Sequence, residues 1–426
     1  MPDVRLHPDP AAQPGAPSLC DPAAARPEQS VGQPAPEVRP LTRTGPLALE
    51  VATSMRDLEA LGPEYERLNR ITLNGLPFAL HEWHLGWCRR WLNCNPRVRD
   101  DLAIHVVRDA VGICVGLVPM LRSVRAFGPL RVCALNMLGP DQALSEIRSP
   151  LIEPGFEEPV AAALEQHLAA TGDWDWVNWS GISPRFALAL KAHGELVFED
   201  PQHSYVLDLP RSWEELRSSL KRNIRESLRH CYNSLRREGI GFELAVRTER
   251  NEIAEALERF FELHTQRARL AGVPLHPDHF RDEGRRTFLR DVCATLAARK
   301  VARVFELVIG GEVVASRLGF VVGQSLYMYY SGFAPRWARY SVTTTTLAEA
   351  IKYAIACGLA SVDLSPTRNV SKLRWSPREV TYEHAVQLCG GRRGKRARLL
   401  YRLARGAGEG FTPLASLLRP FKRQRD

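Results

Sequence analysis

Apolar and polar positions alternate from residue 47 (Leu47, Leu49, Val51), the pattern of a strand, and Ser54 then stands where it can cap a helix over 55–70. A second helical period covers 80–93, with Trp83, Trp87 and Trp91 four residues apart. That spacing turns one face inward, so the three indoles read as core rather than as a ligand platform. Strand patterns follow at 102–107, 113–121 and 130–138, then a helix at 157–170 and a short apolar strand at 174–179. The same order returns further on. A strand at 242–246 precedes helices at 252–271 and 282–299, and a hairpin joins 304–309 to 312–322 over Gly310-Gly311. A strand at 326–331, a helix at 341–357 and strands at 362–364 and 381–388 complete it. Each half reads strand, helix, helix, three strands, helix, strand. Repetition of that order at a spacing of roughly 200 residues predicts two copies of one mixed α/β (α+β) fold. Between them lie a strand at 204–209 and a basic helix at 212–237, whose Leu216, Leu220, Ile224, Cys231 and Leu235 mark one apolar face.

Length and charge refine this picture. The chain has 426 residues, which suits two domains. Residues 1–45, rich in Pro, Ala, Gln and Glu, read as a disordered leader, and the halves as 46–202 and 203–390. The net charge of +9 lies in the tail: residues 391–426 carry 11 Lys/Arg against 2 Asp/Glu, so the preceding 390 residues sum to zero. A nucleic-acid binder would more often be basic over a folded face. Nine cysteines, odd in number and without CxxC spacing, read as reduced thiols and point to the cytoplasm. The start of the chain lacks the apolar region of a secretory signal, and no apolar run is long enough to span a bilayer. Without HExxH, paired His or CxxC, a metal enzyme is not expected; without G-x-S-x-G, neither is a serine hydrolase of that type.

Five segments in order carry a resemblance: LGPDQALSEIRSPLI (138–152), SLKRNIRESLRHCYNSLRREG (219–239), FELHTQRARLAGVP (261–274), YSGFAPRWARYSVTTTTLAEAI (330–351) and VDLSPTRNVSKLRW (362–375). They resemble the CelD-like acetyltransferases, a branch of the GNAT superfamily related to the FemAB-type aminoacyltransferases. The resemblance covers roughly residues 47–390. It implies a tandem GNAT fold and transfer of an acyl group, acetyl in the first instance, from acyl-CoA to an amine or hydroxyl. The acceptor class it implies is an amine, a sugar or an envelope precursor, with a link to exopolysaccharide or cellulose production.

A helix start favours an anion through its free N–H groups and its dipole. In the second half Arg336, Arg339, Tyr340, Ser341 and Thr343 surround such a start and are the candidates for holding the CoA diphosphate. The family's R/Q-x-x-G-x-G/A loop here has no glycine, which leaves another anionic donor open. In the first half the matching helix opens with Glu157 and Glu158, so CoA binding is not expected there. The catalytic candidates are His264 for proton transfer, Tyr330 as a donor to the leaving sulfur, Asp363 in the cleft and Lys372 as a clamp for an anionic acceptor. His264 reads equally as a packing histidine, and Lys372 as a surface lysine. The basic helix is a solvated face or a steering surface for CoA, tRNA or an anionic glycan. The tail reads as a peripheral membrane contact or as a helix packed on the body. Two alternatives remain: an aminoacyl-tRNA-dependent transferase of the FemAB type, and a non-catalytic scaffold of a polysaccharide assembly.

Overall fold

A computed structural model describes residues 45–406 apart from 73–74, 96–97, 128–129 and 271–275, so the leader and the last part of the tail lie outside the described residues. The first half runs β1 (Ala48–Ala52), α1 (Met55–Ala60), α2 (Gly62–Thr72), α3 (His81–Trp91), β2 (Arg99–Arg108), β3 (Cys114–Phe127), β4 (Leu130–Met137), β5 (Leu151–Ile152), α4 (Glu157–Thr171), β6 (Trp176–Ile182), α5 (Pro184–His193) and β7 (Leu196–Phe198). A connecting stretch holds β8 (Gln202–Asp208), α6 (Trp213–Ser219) and α7 (Arg222–Arg237). The second half runs β9 (Glu243–Arg247), α8 (Arg250–Ala268), α9 (Glu283–Ala298), β10 (Ala302–Ile309), β11 (Glu312–Val322), β12 (Ser325–Phe333), α10 (Val342–Ala356), β13 (Ser361–Pro366), α11 (Val370–Leu373) and β14 (Arg378–Leu388), followed by α12 (Gly391–Gly406).

Local chemistry explains the boundaries. Ser54 and Asp57 form a reciprocal capping box, with the Asp57 N–H donating to Ser54 Oγ at 3.1 Å and the Ser54 N–H to Asp57 Oδ2 at 3.0 Å. The helix expected over 55–70 is two helices, because Pro63 has no N–H to donate and its ring excludes the carbonyl four residues back. The basic helix is likewise two. Ser218 and Ser219 turn their hydroxyls back onto Glu215 O and Leu216 O, and Leu220 ends α6 in extended backbone. Helix α5 was not expected, although Ser183 caps it and Pro184 fills its first turn. The β10–β11 hairpin turns on Gly310 and Gly311 at φ 58° and 80°, the left-handed pair that a two-residue turn needs.

The strands form one sheet in the order β1-β2-β3-β4-β6-β14-β8-β13-β12-β11-β10-β9. Read from the two ends inward, the halves match strand for strand: β1 with β9, β2 with β10, β3 with β11, β4 with β12 and β6 with β13. Two neighbour pairs on this path are parallel, β4 with β6 and β12 with β13. At the centre β14 pairs with β8 over Arg378–Tyr382 and with β6 over Glu383–Leu388, so the last strand completes the first half's sheet.

The halves share a core. Leu58, Tyr65, Trp83 and Trp87 from the first half pack in one cluster with Phe260, Phe280, Phe288, Tyr327 and Tyr329 from the second. The tryptophan stripe is core, as its spacing predicts: Trp83 is fully buried, with its ring 5.2 Å from that of Phe288. The opposite faces are covered by α4 and α5 on one half and by α6, α7 and α10 on the other. Helix α12 places Ala397 and Leu400 in the body, while Leu399 is exposed. Among the described residues no cysteine forms a disulfide, and six of the eight are buried. Among the described residues no helix is long and apolar enough to cross a membrane.

Candidate active site

The site grows from the point where β12 and β13 part. Their parallel pairing lasts three rungs, Ser325↔Ser361, Leu326↔Val362 and Tyr327↔Asp363, and beyond Tyr327 the strands diverge into a crevice. Opposite, β12 carries one more residue than β11 between Met328 and Ser331. This bulge interrupts the alternation of side chains. Tyr329 and Tyr330 consequently both meet the loop that follows β4: the Tyr329 hydroxyl donates to Leu144 O at 2.7 Å and the Tyr330 hydroxyl to Ala143 O at 3.2 Å. Tyr327 reaches the same loop, donating to Glu146 Oε2 at 2.7 Å. Three consecutive contacts thus seat a first-half loop on the second half's crevice. The Asp141–Arg285 pair and the Trp83 bond to Ser145 Oγ hold its flank.

Asp363 and Lys372 meet here. Asp363 is buried, and its Oδ1 accepts from Ser204 Oγ at 2.5 Å and from the Ser365 N–H at 2.8 Å. Burial pushes its carboxyl up to about 6, against the pull of these bonds and of Lys372. The Lys372 ammonium donates to Ser365 O, Ser365 Oγ and Pro366 O, which uses its three N–H groups on the turn that ends β13. That turn holds Ser365 and Thr367 at positive φ, a conformation costly for both residues and sustained by this anchor. Lys372 thus ties α11 to the end of β13. Burial draws it down to about 8, and Glu146 and Asp363 oppose that shift. Glu146 is pushed up to about 7, again by burial, with the Tyr327 hydroxyl and Lys372 pulling the other way.

Tyr330 and His264 form an adjoining aromatic group, their rings 5.6 Å apart. His264 is buried on α8. Its Nδ1 lies 3.1 Å from Ser331 O, which places the proton on Nδ1 and leaves Nε2 as a buried acceptor without a partner among the described residues. Burial pushes it down to about 4, so it is neutral at physiological pH. Burial raises the Tyr330 phenol well above its ordinary value, so it keeps its proton.

At the far end of β12 a 3₁₀ turn (Pro335–Tyr340) leads into α10. Ser341 sits there at φ 54°, and no side chain caps the helix. One turn in, the buried Thr345 Oγ1 has no hydrogen-bond partner. Uncapped N–H groups, this orphan hydroxyl and the half-buried Thr343 fit the anionic end of an acyl-CoA. The predicted arginines lie beside it but are engaged: Arg336 with Glu312, and Arg339 with Glu238, which also accepts from Tyr340. Tyr340 itself is buried. Both guanidiniums are largely exposed (66% and 70%), so these pairs are weak and exchangeable.

Sequence reasoning set Asp363 and Lys372 in one motif and missed Glu146 and Ser204 as site residues. Glu146 stands within the segment 138–152, one of the five that carry the resemblance.

Residues 222–372 match the family described as acetyltransferase (GNAT) domain. No protein of curated function matches by sequence. Among solved structures the chain is similar to FemX, with 12% identity, a TM-score of 0.53 and coverage of 76% of this chain and 95% of that one. It is also aligned with L-PGS from Bacillus licheniformis (14% identity, TM-score 0.42, 80% and 96% covered). A third match is a tandem GNAT protein from the clavulanic acid biosynthesis pathway (13%, 0.41, 81% and 99%). The FemX likeness is one of fold. The matched segment runs from the first residue of α7 to Lys372 and contains both the α10 start and the β12–β13 crevice, so the likeness to an acetyltransferase (GNAT) domain falls on the part of the chain that carries the candidate site.

Proposed function

We propose that the chain transfers an acyl group, acetyl in the simplest case, from acyl-CoA to an amine or hydroxyl acceptor in the crevice between β12 and β13. One observation carries this reading: where the two strands part, Asp363, Lys372 and Glu146 converge with protonation displaced by burial, inside a domain of acetyltransferase type. Arg336, Arg339, Tyr340, Ser341 and Thr343 would hold the diphosphate at the start of α10. The bound donor supplies a thioester carbonyl. Asp363, oriented by Ser204 and the Ser365 N–H, faces the acceptor. Lys372 keeps the β13 turn in its strained form and tempers the two carboxylates. Tyr330 remains a neutral donor for the departing sulfur, and His264, neutral and buried, backs the tyrosine. The acceptor class, a sugar or an envelope precursor, follows from the CelD-like segments, while work in the cytoplasm is read from the cysteines and a peripheral membrane contact from the basic tail.

Calorimetric titration at low salt with acetyl-CoA, longer acyl-CoAs and free CoA tests this. One site per chain with selectivity among donors is expected; no binding of any of them overturns the reading. A second reading, an aminoacyl-tRNA donor, is favoured by one feature. Arg222, Arg225, Arg229 and Arg236 fall on a single stripe of α7, all exposed, and only Arg222 has a carboxylate partner among the described residues. Affinity for tRNA that falls steeply with salt, alongside indifference to acyl-CoA, would select it.

A further inference from the structure

The crevice is not built by the acetyltransferase domain alone. Its floor at the last β12–β13 rung is a carboxylate from the other half. Glu146 lies in the loop between β4 and β5, outside the matched segment, and is half-buried. Its Oε2 is 2.7 Å from the hydroxyl of Tyr327, the residue at which β12 leaves β13. The carboxyl is held from several sides. Tyr329 and Tyr330 bind the carbonyls of Ala143 and Leu144 just before it. Leu144 and Ile147 on either side are fully buried in the shared core. The charged and titratable groups that face Glu146 are Tyr327, Tyr329 and Tyr330 of β12, Asp363 of β13 and Lys372 of α11. A carboxylate held this firmly contributes nothing to packing that a glutamine or a methionine would not. It stands at the last rung, where the pairing of β12 with β13 ends.

We infer that Glu146 is the general base of the reaction, so that the first half completes the active site of the second. This rests on the acyl-transfer reading above. In the step, the acceptor nitrogen or oxygen forms a bond to the thioester carbonyl carbon while its proton passes to Glu146 Oε. The carbon–sulfur bond then breaks, and the electron pair leaves with the CoA sulfur, which takes a proton from a neutral donor in the crevice. Glu146 afterwards returns its proton to solvent. Burial sets Glu146 near neutrality, so it is a competent base only as pH rises past about 7, and its titration is joined to that of Lys372. The Tyr327 hydroxyl holds the charged form, so its removal moves the titration upward.

The test uses the full chain, acetyl-CoA and hydroxylamine as a small nucleophilic probe, with released thiol followed across pH. In the wild type the rate is expected to rise through a limb near pH 7. Glu146→Gln is expected to lower the plateau by about 10²–10⁴-fold and abolish the limb while leaving the acetyl-CoA affinity unchanged. Glu146→Asp restores part of the rate with the limb, and Tyr327→Phe shifts the limb to higher pH. If Glu146→Gln keeps the wild-type rate and limb, or loses acetyl-CoA binding and thermal stability in step with rate, the assignment is overturned. A wild type that binds acetyl-CoA yet releases no thiol to any nucleophile fails at the acyl-transfer reading itself, and the role of Glu146 falls with it.

Discussion

The last parallel rung before the strands part is occupied differently in the two halves. In the first half it is Asn136 on β4 opposite Asn178 on β6, and the two amides bond directly at 2.6 Å. In the second half it is Tyr327 opposite Asp363, and these two turn outward, one to Glu146 and one to Ser204. Beyond the rung the first half is closed by its own chain. Gly181 on β6, at φ 74°, lies so close to the backbone of Arg148 that a Cβ would stand 2.7 Å from that residue's carbonyl oxygen, and Arg148 bonds Ser180. At the corresponding helix start, Glu157 accepts from the Gly155 N–H and Glu158 pairs with His193; neither α4 nor α10 has a side-chain cap, but α10 opens without a carboxylate. One fold, used twice, has neutral self-satisfied polar groups where it is shut and displaced ionisable groups where it is open. Polar pairs that satisfy one another stabilise; groups held away from their preferred protonation state are available for chemistry.

The contrast breaks or sharpens at defined points. The largest effect is expected at the two rungs themselves. Asp363→Ala should reduce acyl transfer by about 10²–10⁴-fold, while Asn178→Ala should leave turnover near wild type and lower only stability. Equal losses of turnover at both rungs would end the distinction between an open and a shut half. Next is the cost of the open rung. The folded-state value of Asp363 is raised from 3.8 to about 6, so folding favours its protonated form, and that contribution is lost as pH climbs through this interval. Above it the buried charge costs up to about 3 kcal/mol, at about 1.4 kcal/mol per unit. Asp363→Asn keeps an acceptor oxygen for Ser204 and Ser365. It should therefore unfold at higher denaturant than wild type at pH 8, with the gap closing toward pH 4; a gap independent of pH would contradict this. The smallest effects lie at the anion end. Arg336→Ala with Arg339→Ala should weaken acetyl-CoA binding about tenfold, and Glu238→Gln should strengthen it slightly by freeing Arg339. Glu158→Gln should add no second site in calorimetry.

Periodicity exposed both halves because each element buries one face, and burial writes itself into spacing. It could not reveal partners. The pattern at 381–388 marks a strand but says nothing of β14 lying between β6 and β8. Nor does a run such as Tyr327–Tyr330 announce a bulge: strict alternation would send Tyr329 and Tyr330 to opposite faces, and one extra residue brings both to the same loop. Asp363 and Lys372 were legible because ten residues of one motif contain them both. Glu146 was not, since its neighbours lie 181 residues away at Tyr327 and further at Asp363 and Lys372. The arginines at 336 and 339 were placed correctly beside α10, but their carboxylate partners, Glu312 and Glu238, come from other elements.

The placement of β14 bears on how the protein is made. During synthesis the first half emerges with β6 exposed along one edge, and the second half builds outward from β8 with another. Neither edge is covered until the last strand leaves the ribosome, since β14 pairs with both. Unpaired edges recruit other chains, so the nascent protein is vulnerable throughout elongation. A message cut short between Pro366 and Arg378 would leave two open sheets, and a chain carried past Leu388 would close both at once.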